Sequence, residues 1–287
     1  DGVHRGHVAI VESLLALARR KNVPAVAFTF DPHPLKVLAP DRAPPPLMWA
    51  SRKVELLQRL GVDAVVVCPA DRALLALSPE AFFREVLVER LGATGVVEGP
   101  DFRFGKGRAG DRTDLERLCR EHSMELVICP PVEDEGGVIS SSRIREEIRR
   151  GDVAAANRKM FAPYRICGRV VRGARRGRTL GFPTANLSDI PVLVPGVGVY
   201  AGRAYVDARG LAAAIHIGPN PTFGEEHPKV EVHLLDGEWE LEGRILEVEF
   251  LEQLREVRPF DSVEALQKQL ERDIAAVRRK VTEISAG

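Results

Sequence analysis

Aromatic residues are scarce, at 6% of the chain, and cysteine is scarcer still, with four residues and no CxxC pair. Cys68, Cys119, Cys129 and Cys167 are scattered. That excludes a disulfide framework or a cysteine zinc site by spacing, and a reducing cytoplasm is the simplest expectation. No apolar run approaches the roughly 18–20 residues of a membrane span, so no membrane partner is expected. Excess charge is also missing. Lys+Arg and Asp+Glu both number 41, and the balance is 24 against 23 over residues 1–160 and 17 against 18 over 161–287. A protein that coats nucleic acid is basic, so no nucleic-acid partner is expected and any bound polyanion is small. There is no internal repeat. With 45% hydrophobic and 29% charged residues over 287 positions, the chain has the composition of a folded protein of about two domains. Nothing in it sets an oligomeric state.

The first half alternates helical and strand patterns. Residues 7–21 carry apolar residues at helical spacing, and VPAVAFTF (23–30) is a continuous apolar run. SRKVELLQRL (51–60), SPEAFFREVLVERLG (78–92), DRTDLERLCREH (111–122) and SSRIREEIRRG (141–151) read as helices. AVVVCP (64–69), TGVVEG (94–99) and ELVICP (125–130) read as strands. Ser78 suits an N-cap, with Pro79 at the first helical position and Gly92 at the stop. Such alternation predicts a parallel sheet covered by helices. A doubly wound sheet normally opens with a strand, so one is expected ahead of the first helix. After Phe161–Tyr164 the pattern changes to short β-rich runs at 165–173, 199–207, 211–218, 229–236 and 244–251, then one helix over about 262–283. This predicts an antiparallel barrel or sandwich closed by a helix.

DGVHRGH (1–7) opens the first helix. Gly2 and Gly6 allow close backbone approach, and His4 and His7 flank the free N–H groups of a helix start, a ready phosphate site. The same HxxH could hold a metal, but no third ligand is in view, and two surface histidines in a glycine-rich turn remain an open reading. ISSSRIR (139–145) places Ser141, Ser142 and Arg145 at another helix start, where they are either a cap with a solvated arginine or a grip for a triphosphate. Six arginines lie between residues 165 and 178 with no acid among them, a local anion site in a neutral domain or a solvated basic loop.

HxGH and ISSxxxR within one α/β domain resemble the nucleotidyltransferase superfamily, in which the two motifs converge on ATP. Ser142 stands for the usual Thr. Adding TFDPHP (29–34) and DFRFGKGRAGD (101–111), the first half resembles the FMN adenylyltransferase part of the bacterial bifunctional riboflavin kinase/FAD synthetases. The second half supports it independently. GRVVRGARRGRTLGFPTANL (168–187), AAIHIGPNPTFGE (213–225) and VEVHLLD (230–236) resemble riboflavin kinase.

The resemblance implies a Rossmann-like α/β nucleotidyltransferase domain over 1–160 and an antiparallel β-barrel riboflavin kinase domain with a C-terminal helix over 161–287. It implies that riboflavin is phosphorylated to FMN by ATP, and that FMN is adenylylated to FAD with release of pyrophosphate. ATP, riboflavin and FMN are the partners, with Mg²⁺ accompanying ATP. Glu231 would be the general base, with His4, His7 and Arg145 acting on ATP in the second reaction. Gly2, Gly6, Ser141, Ser142, Gly173, Arg178, Thr184 and Asn186 would contact phosphates, and Thr184 and Asn186 the metal as well. Asp31, Asp101, Phe102 and Phe104 would meet the flavin. His216 and Pro219 depart from the family's usual Asn and Thr. A nucleotidyltransferase with another acceptor would explain the first motifs but not GFPTAN. A non-catalytic flavin-binding module would bind flavin and consume no ATP.

Overall fold

The structure is a computed structural model describing residues 2–173, 181–219, 229–237 and 239–286. The chain divides into two compact units, residues 1–44 with 49–140, and residues 45–48 with 141–287.

The first unit opens with α1 (Arg5–Lys21), capped by His4 and ended by Asn22 in the left-handed region at φ 55°. Arg19, Arg20 and Lys21 occupy its last turn, where positive charge offsets the carbonyl end of the dipole. Strand β1 (Val26–Phe30) follows, then α2 (Pro34–Leu38), α3 (Ala50–Arg59), β2 (Ala64–Cys68) and α4 (Arg72–Leu75). Helix α5 (Pro79–Phe82) begins where expected, with Ser78 Oγ accepting from Ala81 N at 3.1 Å, and runs on as a π-helical segment to Arg90. Strand β3 (Gly95–Glu98), α6 (Arg112–Glu121) and β4 (Glu125–Ile128) complete the layers, followed by a two-residue hairpin of β5 (Glu133–Asp134) and β6 (Gly137–Val138).

Strands β1 and β2 pair in parallel from Val26↔Ala64 to Phe30↔Cys68, and β3 and β4 from Gly95↔Glu125 to Glu98↔Ile128. Parallel pairing between covering helices is what the alternation predicts. Every residue of β1 and β3 lines a cavity of about 660 Å³, walled on one side by α1 and on others by Leu57, Leu74, Phe82 and Leu87. Beneath it, Phe83, Leu115, Leu118 and Cys119 form a buried cluster.

The second unit takes in α7 (Ser141–Arg149) and α8 (Val153–Lys159) with the barrel. The Asn157 side chain fastens α8, donating to Phe250 O at 2.8 Å and accepting from Tyr164 N at 2.7 Å. Strands β7 (Arg165–Val171), β8 (Ala185–Ser188), β9 (Gly198–Val206), β10 (Arg209–Gly218), β11 (Lys229–Leu234) and β12 (Ile245–Arg255) close into a barrel in the order β10-β11-β8-β7-β12-β9. All its pairings are antiparallel. Alternation decides what faces inward. Ile215, Ile217, Val230, Val232 and Leu187 are buried in the core, so their neighbours His216, Glu231 and Asn186 lie on the outer face. The helix α9 (Val263–Ala286) packs on β9, β10 and β12. Among the described residues no helix is long and apolar enough to cross a membrane.

Candidate active sites

In the first unit the HxxH turn is a reciprocal cap. His4 Nδ1 accepts from Gly6 N at 3.2 Å, and His7 Nδ1 accepts from His4 N at 3.4 Å. The ring centroids lie 4.0 Å apart. A Cβ on Gly6 would come within 3.0 Å of the His4 ring, so glycine is what lets the turn fold over the imidazole. Gly2 is buried beside them. Burial disfavours both imidazolium ions. It brings His4 down to about 4, and brings His7, which also feels His4 and Lys53, down to about 3.

His7 and Gly2 line the cavity together with Thr29, Lys53, Glu98, Phe102 and Phe104. Lys53 Nζ donates to Thr29 Oγ1 at 3.2 Å. His33, which caps α2, is lowered by burial and by the charges of Lys53 and Arg108. Asp31 is exposed beside this cluster, and its carboxylate acts on Lys53. The rings of Phe102 and Phe104 stack at 5.5 Å and 12°. Phe104 is 5% exposed and belongs to the core cluster, whereas Phe102 is half-buried and Asp101 is exposed. Gly105, at φ +71°, lets this loop press on Pro79, whose backbone nitrogen would be 2.6 Å from an added Cβ.

Lys53 and Glu98 escaped the sequence reading as site residues, while Thr29 and His33 fell within TFDPHP without being singled out. Lys53 looks like the polar face of an amphipathic helix, and Glu98 like the solvated end of a strand. Burial raises Glu98 to about 7, and burial is the quantity a single sequence conceals.

In the second unit Ser141 and Ser142 open α7, half-buried and exposed respectively. Arg145 is 5% exposed, with Nε donating to Pro45 O at 2.9 Å, and burial and Arg149 hold its pKa below the usual arginine range. On the barrel, register does the assembling. His216 pairs with Glu231 across β10 and β11, and Glu231 with Asn186 across β11 and β8. The three therefore form one outward row, with neighbours about 4.5–5.5 Å apart at Cβ. Gly173 lies on the Asn186 carboxamide, since a Cβ there would overlap its Nδ2. A ring nitrogen of His233 meets Pro183 O at 2.8 Å and its ring packs against Phe182, which secures the turn that carries exposed Thr184. His216 Nε2 lies 3.2 Å from Pro219 O, and burial lowers its pKa against the opposing pull of Glu231. Arg178 lies outside the described residues.

Thr184 and Asn186 offer neutral oxygen donors, which suit Mg²⁺ when phosphates and waters complete its shell. Among the described residues no group of three or more His, Cys, Asp or Glu could hold a metal on protein ligands alone. Two neutral oxygens would hold such a cation only together with phosphates and waters.

Residues 1–143 match the FAD synthetase family model and residues 160–281 the riboflavin kinase model. The bifunctional riboflavin kinase/FMN adenylyltransferase of Escherichia coli K12 is 35% identical over 274 residues, covering 95% of this chain and 88% of the relative. That of Pseudomonas fluorescens is 36% identical over 97% and 89%, and that of Bacillus subtilis strain 168 is 34% identical over 95% and 87%. A crystal structure described as a macrolide-efflux protein from Streptococcus pneumoniae superposes with a TM-score of 0.84 at 31% identity, over 97% of this chain and 91% of that one.

Proposed function

The chain belongs to the bifunctional riboflavin kinase/FMN adenylyltransferase family, and from that membership we propose that it makes FMN from riboflavin and FAD from FMN, using ATP in both steps. The observation that carries the kinase half is the register of the barrel, which sets Glu231 directly opposite Asn186. In this reading Glu231 takes the proton of the riboflavin 5′-hydroxyl as its oxygen attacks the γ-phosphorus of ATP, and the bond to ADP breaks. Asn186, Thr184, Gly173 and Arg178 hold the triphosphate. Mg²⁺ bound with ATP neutralises phosphate charge, and Thr184 and Asn186 are the residues that would hold it. Adenylyl transfer needs no enzyme nucleophile. A phosphate oxygen of FMN attacks the α-phosphorus and pyrophosphate leaves, so the protein supplies positioning and charge stabilisation.

We assign the second reaction to residues 1–160 and the first to 161–287. His4 and His7, with Gly2 and Gly6, act on ATP in adenylyl transfer, and Ser141, Ser142 and Arg145 carry the family's second ATP motif. Phe102, with Asp31, Asp101 and Phe104, serves the flavin. We place the enzyme in the cytoplasm, where ATP is at hand and the four free thiols stay reduced. The efflux description belongs to the Streptococcus protein.

The test of the division is residues 162–287 expressed alone and assayed for FMN. Turnover comparable to the whole chain is expected. A folded segment that binds riboflavin and makes no FMN, while the whole chain does, overturns it.

A further inference from the structure

The histidines of the first unit are asked to stabilise charge on ATP, and their hydrogen bonds limit how they can do so. Each Nδ1 accepts a backbone N–H. An imidazolium carries protons on both nitrogens and accepts nothing, so charging either ring breaks a cap of α1. At neutral pH the pair therefore offers Nε2–H donors and no net charge. Charge that develops on a phosphate in such a cavity is stabilised by a nearby cation, and the histidines supply none.

Lys21, Lys53, Arg103 and Arg108 line the cavity. Lys21 ends α1 and pairs with Glu125 at 3.6 Å, and Arg103 pairs with Asp111 at 3.5 Å. Arg108 acts on His33. Lys53 lines the cavity with His7, donates to Thr29 of the TFDPHP segment, and acts on both His7 and His33. Lys53 is half-buried and its hydrogen bond goes to a neutral hydroxyl, Thr29 Oγ1. It forms no ion pair among the described residues, although Asp31 lies near enough to offset part of its desolvation. A desolvated ammonium bonded only to a hydroxyl is set to receive an anion.

We infer that Lys53 is a cation of the adenylyl-transfer site, pairing with a phosphate group that the two neutral histidines meet by hydrogen bonding alone. The inference rests on the adenylyl-transfer reading above. The phosphate belongs either to the triphosphate of ATP or to the phosphomonoester of FMN, and kinetics tell these apart.

The test compares the full chain with Lys53→Met, Lys53→Gln and Lys53→Arg. Lys53→Gln keeps a donor for Thr29 but no charge, so it separates the cation from its structural bond. FAD formation is followed with ATP and FMN varied in turn, and ATP and FMN binding is measured at equilibrium. Thermal unfolding checks the fold. Both neutral variants should lose about 10²–10³-fold in kcat/KM, with Lys53→Arg recovering at least about tenfold of it. A rise confined to the KM for FMN assigns the phosphomonoester. A fall in kcat, or a rise in the KM for ATP, assigns the triphosphate. Folded neutral variants within about threefold of the parent overturn the inference. A parent chain that makes no FAD overturns adenylyl transfer instead, and binding then decides for Lys53. Neutral variants that bind ATP or FMN about tenfold more weakly uphold it, and unchanged binding of both overturns it.

Discussion

In the first unit the candidate groups lie in or near a cavity lined by β1 and β3, and desolvation tunes them. His4, His7, His33, Lys53 and Glu98 are all moved from their ordinary values with burial as the leading cause. In the second unit the groups sit on the outer face of a closed barrel, and strand register brings them together. Glu231 and Asn186 are neighbours because β11 pairs with β8, with no cavity needed. One site therefore depends on how dry its surroundings are, and the other on which residue stands opposite which. The first should respond to pH and to changes of shape, and the second to single side chains in the row.

The largest effect expected on either side is Glu231→Gln. It preserves size and removes the proton acceptor, so FMN formation should fall about 10²–10⁴-fold with riboflavin binding kept. Near-parental turnover would make Glu231 a surface strand residue. On the other side, His7→Ala removes a donor and a cap of α1. FAD formation should drop about 10²–10³-fold and FMN formation should hold. Equal loss of both activities in a folded protein would contradict separate sites.

Smaller effects sharpen the contrast. Gly173→Ala drives a methyl onto the Asn186 carboxamide, so the KM for Mg-ATP in FMN formation should rise about tenfold, the scale of a lost hydrogen bond. An unchanged KM would mean Asn186 has no part in ATP binding.

The larger pH response of stability is expected in the first unit. His4 and His7 titrate below the unfolded histidine value of 6.5, so the stability tied to their neutral forms is present above that value and is lost as pH falls. Glu98 works in the opposite sense. With its folded value raised to about 7, its contribution is full below 4.5 and is lost as pH rises through 7. Thermal unfolding of the first unit should therefore shift down between pH 7 and pH 5, with two histidines against one carboxyl. Glu98→Gln should steepen that slope. A flat profile in both proteins would mean these groups are solvated. The smallest change expected is His216→Asn, within about threefold in FMN formation, because the planar side chain keeps a donor for Pro219 O.

Much of this was legible in the sequence because period and punctuation carried it. Ser78, Pro79 and Gly92 bounded their helix as capping chemistry requires, and the change from helical to alternating pattern marked the barrel. Strand β8 was not foreseen as a strand, because PTANL has a proline before it and too few residues to show a period. Helix α8 is short and centred on three alanines, which show no amphipathic stripe, and its fastening through Asn157 to Phe250 spans 93 residues. The site divided along the same line. Glu231, Asn186, His4 and His7 were found through motif resemblance. Lys53 and Glu98 were missed because their chemistry comes from being buried in a cavity whose walls lie far apart in sequence.

The central claim is that one chain carries both reactions at separate sites. Purified protein incubated with riboflavin and Mg-ATP, with riboflavin, FMN and FAD separated by chromatography over time, tests it most directly. The account predicts that FMN appears first and FAD follows from it, with one ATP consumed at each step. Riboflavin that stays bound but unconverted, with no ATP consumed, would contradict it.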